Sequence, residues 1–159
     1  MRFCLIDRIT ELEVGKSITA VKNLTMAEEY LADHFPRFPV MPGVMMLQAL
    51  AETASWLIRA TDDFAHSMVT IAEANNVKYG RFVEPGQQLV ISAEILGRDG
   101  CEVKIKANGR VNDHLAVSGR LVMKCYNLAD ERPHRADTDE SVIEDLRKLF
   151  GLLYRQEDD

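Results

Sequence analysis

His34 and the Pro42-Gly43 pair are the residues with the clearest chemical potential in this 159-residue sequence. An imidazole titrates near neutral pH, so it can take or give a proton there. Nine residues after His34, Gly43 opens a long apolar pattern of helical period over residues 43–60. The first N–H groups of a helix have no partner inside it, and the helix dipole is positive there. Glycine lets a ligand come close to such an N–H. A base near that donor suits removal of a proton next to a carbonyl, with the enolate oxygen held by the backbone. Along the same helix, Gln48, Glu52, Ser55 and Arg59 fall at i, i+4, i+7 and i+11, which puts them on one stripe. That stripe is either a solvent-facing edge or the wall of a polar pocket, and periodicity by itself favours the edge. A single histidine, likewise, more often caps a turn or satisfies a core than reacts.

The elements that must position these groups are legible in outline. Three prolines (Pro36, Pro39 and Pro42) rule out regular structure over residues 34–42. The helix at 43–60 is apolar around most of its circumference, the mark of a buried helix. Residues 3–9 and 16–23 predict short strands around a turn at 13–15, and Thr25 a cap for a brief helix over 26–32. From residue 68 onward the pattern turns to strands at 68–77, 88–96, 101–110 and 114–126. Asp99-Gly100 and Asn112-Asp113 are hairpin signals, and Glu84-Pro85-Gly86 marks a break. One buried helix with five or six mostly antiparallel strands predicts an α+β fold, a curved sheet wrapped on the central helix.

Composition narrows the function classes. The net charge is -6, from 19 Lys and Arg against 25 Asp and Glu. That balance argues against a nucleic-acid binder held by phosphate contacts. Three scattered cysteines suit neither a disulfide framework nor a zinc cage, and fit a reducing cytoplasm. The four histidines show no ligand spacing, so neither a metal nor another cofactor is expected. No apolar run reaches the roughly 18 residues of a spanning helix, so no membrane insertion is expected, and the charged start does not read as a signal peptide. The acidity is uneven: residues 130–159 carry 10 acidic and 5 basic side chains. Residues 130–138 read as a polar linker, followed by an amphipathic helix over 139–155 with Ser141 and Glu144 as a capping box.

The run His34-Phe35-Pro36 followed by Pro39-Val40-Met41-Pro42-Gly43-Val44 resembles the signature of the (3R)-hydroxyacyl-acyl carrier protein dehydratases of the FabZ type. Leu5-Ile6-Asp7-Arg8, Leu12-Glu13-Val14-Gly15-Lys16, Lys22-Asn23-Leu24-Thr25 and the stretch from Val77 to Leu89 extend the likeness over roughly residues 3–126. The resemblance implies the hotdog fold for residues 1–129, with the acidic linker and helix of 130–159 appended. It implies a homodimer or trimer of dimers, with each active site built from two subunits and no cofactor. It also implies that His34 removes the C2 proton and that the Gly43 N–H binds the thioester carbonyl. Phe35, Val40, Met41, Pro42 and Met45 become substrate-binding candidates. The substrate arrives on acyl carrier protein or coenzyme A, and Arg37, Lys78 and Arg81 are candidates to meet that carrier.

The chain departs from the family pattern at one decisive place. The family's catalytic carboxylate falls on Gln48, and Glu52 stands one turn later. An amide cannot deliver a proton at neutral pH. Asp33 and Arg37 stand where the family commonly has glycines. Three readings follow: a dehydratase with Glu52 as a displaced acid, a weak or inactive homologue that binds acyl thioesters or pairs with an active subunit, and a hotdog thioesterase.

Overall fold

The computed structural model describes residues 4–155. A hairpin of β1 (Arg8–Glu13) and β2 (Ser17–Asn23) leads into a short helix, α1 (Tyr30–Asp33), and then the long helix α2 (Gly43–Thr61). Four strands follow: β3 (Met68–Tyr79), β4 (Gln88–Asp99), β5 (Glu102–Val111) and β6 (His114–Tyr126). Helix α3 (Ala136–Leu153) closes the described chain. The strands form one antiparallel sheet in the order β1-β2-β4-β5-β6-β3. Here β3 is an edge strand, and most of its residues are exposed.

Alternation in the strands creates the inner face. Leu89, Ile91 and Ala93 of β4, Val103, Ile105 and Ala107 of β5, and Leu121, Met123 and Cys125 of β6 are all buried. They pack around α2, whose Ala49, Leu50, Ala54 and Leu57 have no exposure. Alanines on that face let the sheet close in on the helix, and each buried Leu contributes about 1.5–3 kcal/mol. The buried Thr53 hydroxyl bonds back to the Ala49 carbonyl (2.9 Å), so it carries no desolvation penalty. The β4–β5 hairpin turns on Gly100, whose φ of +58° is the left-handed conformation that Asp-Gly permits. Asn112 and Asp113 turn β5 into β6 with φ values of 48° and 63°.

Several local expectations shift. Leu5 and Ile6 are core residues but lie before β1, so the strand expected at 3–9 runs over 8–13 instead. The Leu5 N–H donates to a side chain, that of Glu52, rather than to a neighbouring strand. The brief helix expected over 26–32 is confined to Tyr30–Asp33, while the Thr25 hydroxyl accepts from Ala27 N–H (3.2 Å) in a local turn. The expected linker is ordered, with 3-10 turns at Leu128–Asp130 and Pro133–Arg135. Helix α3 begins at Ala136, which places Ser141 inside the helix and removes its capping role.

Asp139 supplies the anchor that the capping box was expected to provide. Its carboxylate accepts from the Ser67 hydroxyl, Leu128 N–H (2.9 Å) and Ala129 N–H (2.8 Å). Burial raises its pKa, but these three donors, with Arg135 nearby, outweigh burial and hold the carboxyl below its ordinary range. At the other end Phe150 sits against Trp56, Phe64 and Tyr154, with ring centroids 6.0, 5.4 and 5.7 Å away. Arg147 covers the Phe64 ring and bonds Asp63. A depressed folded pKa stabilises above the unfolded carboxyl value of about 3.9 and is lost as pH falls through the folded one. Acid therefore loosens α3, and Asp139→Asn loosens it at neutral pH, because an amide NH₂ must then face an N–H or O–H donor. The expected readouts are a lower Tm and Trp56 emission at longer wavelength. Unchanged emission in the variant would show that α3 docks without Asp139.

Candidate active site

The chain between α1 and α2 is a braced loop that delivers His34 and Gly43 to one cleft. His34 caps α1 with its N–H on the Tyr30 carbonyl (3.1 Å). Phe35, next in sequence and followed by Pro36, takes φ +50°. A bulky residue in that region costs about 1–3 kcal/mol. The turn is held by Phe38 N–H on the Phe35 carbonyl (2.8 Å), and Met41 N–H on the Val83 carbonyl (2.9 Å) ties the loop to the body. The Phe35 ring sits tilted against the imidazole, with centroids 4.4 Å apart. Pro42, extended at ψ 141°, feeds α2, and the first intrahelical bond runs from Met45 N–H to the Pro42 carbonyl (2.9 Å). The N–H groups of Gly43 and Val44 lie ahead of that first bond, at the positive end of a 19-residue helix.

A cleft of about 360 Å³ is lined by His34, Phe35, Val40, Met41, Gly43, Met46, Tyr79, Gly80, Arg81 and Phe82. The imidazole and the helix-start donor therefore share one space. Of the other expected contacts, Pro42 and Met45 do not line this cleft, and Arg37 and Lys78 are exposed and outside it. Tyr79, Gly80 and Phe82 were not singled out from sequence. Their signal was the Val77 to Leu89 stretch, whose residues carried the family likeness without a role attached. Tyr79 has a definite one: a Cβ on Gly43 would lie 3.1 Å from its ring. The glycine thus leaves room for both the ring and a bound carbonyl.

The polar stripe of α2 faces elsewhere. Gln48, Glu52, Ser55 and Arg59 line a second chamber of about 700 Å³, walled by Val69, Thr70 and Ile71 of β3 and roofed by Val142, Asp145, Leu146 and Leu149 of α3. So the stripe is a pocket wall, the less favoured of the two readings of its period. Within it the Glu52 carboxylate accepts from Leu5 N–H (2.8 Å) and Cys4 S–H (3.0 Å). Burial, then the Glu52 bond, pushes the Cys4 thiol up to about 12.

A third grouping escaped the spacing of the histidines. Asp62, His66 and Cys125 bring ligand atoms within 4.8 Å of one another. Arg98, however, grips Asp62 through both guanidinium nitrogens (2.6 and 2.5 Å), and its positive charge opposes a cation there. Cys125 is buried, and burial raises its pKa. The donor set therefore fits an Arg-bridged structural cluster better than a metal centre.

A sheet wrapped on a helix, with a histidine loop beside the helix start, defines a class, and sequence comparison agrees. Residues 1–122 match the model of the FabA-like domain, and the chain belongs to that family. Among curated relatives, the 3-hydroxyacyl-[acyl-carrier-protein] dehydratase FabZ of Janthinobacterium sp. is 42% identical over 134 residues, covering 81% of this chain and 85% of that protein. FabZ of Albidiferax ferrireducens is 40% identical over 131 residues, covering 80% and 87%. Among solved structures, the dehydratase heterocomplex ApeI:P from Xenorhabdus doucetiae superposes with a TM-score of 0.67 at 14% identity, over 79% of this chain and 85% of that one. Protein PA5202 from Pseudomonas aeruginosa gives 0.60 at 17%, over 74% and 86%. These superpositions confirm the hotdog architecture expected from sequence. Among the described residues no helix is long and apolar enough to cross a membrane.

Removing the Gly43 N–H tests the helix-start donor. Proline is tolerated at the first helical position, and the extended Pro42 suits a following proline. Gly43→Pro should lower turnover by about 10²–10³-fold, the loss expected for one oxyanion donor. Gly43→Ala controls for crowding against Tyr79 and should lose less. Equal loss in both variants would assign the effect to crowding.

Proposed function

We propose that the chain removes water from a 3-hydroxyacyl thioester to give the trans-2-enoyl thioester. The observation that carries this reading is the single cleft shared by His34 and the Gly43 N–H. His34 takes the C2 proton, and the electron pair moves through the enolate, whose oxygen the Gly43 N–H holds. As the C2=C3 bond forms, the C3–O bond breaks. The hydroxide leaves as water with the proton that His34 took from C2, so atoms balance without a redox partner.

Gln48 opens to the other chamber, so a site containing both groups needs a second copy. The open edge of β3 suits pairing with such a copy, which would bring one protomer's His34 loop toward its partner's α2 stripe. Arg81 on the cleft rim, with the exposed Arg37 and Lys78, suits a carrier phosphate. The substrate is then a thioester of acyl carrier protein or coenzyme A, met in the cytoplasm. The test follows enoyl-thioester absorbance during hydration and dehydration, alongside sedimentation for the dimer. Hydrolysis to free acid without hydration would replace this reading by a thioesterase.

A further inference from the structure

The chamber under α3 holds donors with too few acceptors. Arg59 is 9% exposed, yet among the described residues it makes one hydrogen bond, to the His66 carbonyl (3.2 Å), and no ion pair. Burial pulls its pKa down to about 10. Trp56 is 3% exposed, and its Nε1–H has no partner among the described residues. Both side chains line the chamber, and an indole N–H can only donate. The buried Trp56 N–H costs free energy until an acceptor arrives, and the Arg59 guanidinium beside it has further N–H groups to offer that acceptor. The remaining walls are largely apolar: Ala51, Val69, Ile71, Met123, Val142, Leu146 and Leu149. Of the two carboxylates, Glu52 stands two turns before Arg59, about 10 Å of helix rise, and is already bonded to Cys4 and Leu5. Asp145 lies on the roof.

We propose that this chamber receives the far end of the substrate's acyl chain, and that this end carries an oxygen acceptor, a carboxylate or carbonyl, held by Arg59 and the Trp56 Nε1–H. The thioester end of this inference rests on the dehydratase reading. From Gln48 to Arg59 the helix rises about 16 Å, room for a medium-length chain lying along it. The roof is α3, which lies beyond the matched FabA-like region. The selecting feature is therefore built partly from residues the family match does not include.

Trp56 is the sole tryptophan, so its emission reports on this chamber. Octanoate, 2-octanone and octylamine are titrated into the full-length protein. Saturable shifts with octanoate or 2-octanone, and none with octylamine, are expected. The tighter of the two ligands tells carboxylate from carbonyl. Arg59→Met should weaken that ligand by about 10–100-fold, the loss of a charge-assisted hydrogen bond. Leu146→Phe, which narrows the chamber from α3, should weaken it without touching Arg59. No saturable response in the wild type, an equal response to octylamine, or unchanged affinity in both variants overturns the proposal. In the hydration assay, a trans-2-enoyl thioester with an oxygen-bearing end should show a lower KM than its methyl-ended counterpart. Turnover of both without preference removes this inference and leaves the dehydratase reading. Saturable octanoate binding with no turnover of either does the reverse.

Discussion

Replacing His34 with alanine should lower hydration of an enoyl thioester by about 10²–10⁴-fold, the contribution of a positioned general base. Melting should change little. The structural bond that His34 makes to α1 comes from its backbone N–H, on the Tyr30 carbonyl, and survives truncation of the ring. The imidazole's neighbour is the half-open Phe35 ring rather than a packed core. The same assay in reverse, from the 3-hydroxyacyl thioester, should show the same loss, because in the proposed mechanism one group takes and returns the C2 proton. Full activity in His34→Ala would remove the cleft from the mechanism.

The second large effect is expected at Gln48. Its amide can hold the C3 hydroxyl or a water but cannot donate the proton that turns hydroxide into water. Gln48→Glu should therefore raise kcat, by about 10²-fold or more if general-acid help is restored in full. Gln48 is exposed on the chamber wall, so the change should leave folding intact. Glu52→Gln should behave in the opposite way. Both Glu52 oxygens are occupied, by the Leu5 N–H and the Cys4 thiol. An amide there can keep the Leu5 bond and turn its NH₂ toward the Cys4 sulfur, a weak acceptor whose S–H also reaches the Ile6 carbonyl (3.3 Å), which should cost about 1 kcal/mol of stability and little rate. Loss of turnover in Glu52→Gln with no gain in Gln48→Glu would instead make Glu52 the acid. An inert wild type awakened by Gln48→Glu would identify the chain as a binding subunit that lost its acid.

Much of the architecture was legible because it rests on local period. The 43–60 expectation and the observed Gly43–Thr61 differ by one residue, since an all-round apolar pattern after a proline has no other use. The hairpins at Gly100 and at Asn112-Asp113 followed from backbone sterics. Where expectations moved, a distant partner was responsible. Leu5 looked like strand because it is apolar, but its N–H is taken by a carboxylate 47 residues away. Residues 130–138 looked like a linker because they are polar. They are ordered because the Asp139 carboxylate just after them holds the Leu128 and Ala129 N–H groups and joins α3 to Ser67 across 72 residues. The charge asymmetry, too, reads differently once α3 is docked: Asp137, Glu140 and Glu144 are exposed, whereas Asp139 is buried as an anchor and Asp145 lines the chamber that the helix roofs.

The sequence by itself determined the wrapped-sheet class, the spacing of His34 and Gly43, and an amide at Gln48 on the same helix. Those properties depend on residue type, on spacing along one helix, and on where a helix must begin. Only the tertiary structure decided which groups share a space. It put His34 with Gly43 in one cleft and Gln48 with Glu52, Trp56 and Arg59 in another. It also engaged the spare carboxylate while leaving the buried Trp56 Nε1–H without an acceptor among the described residues. Such facts follow from how distant segments pack, and neither periodicity nor local propensity encodes the far side of a contact.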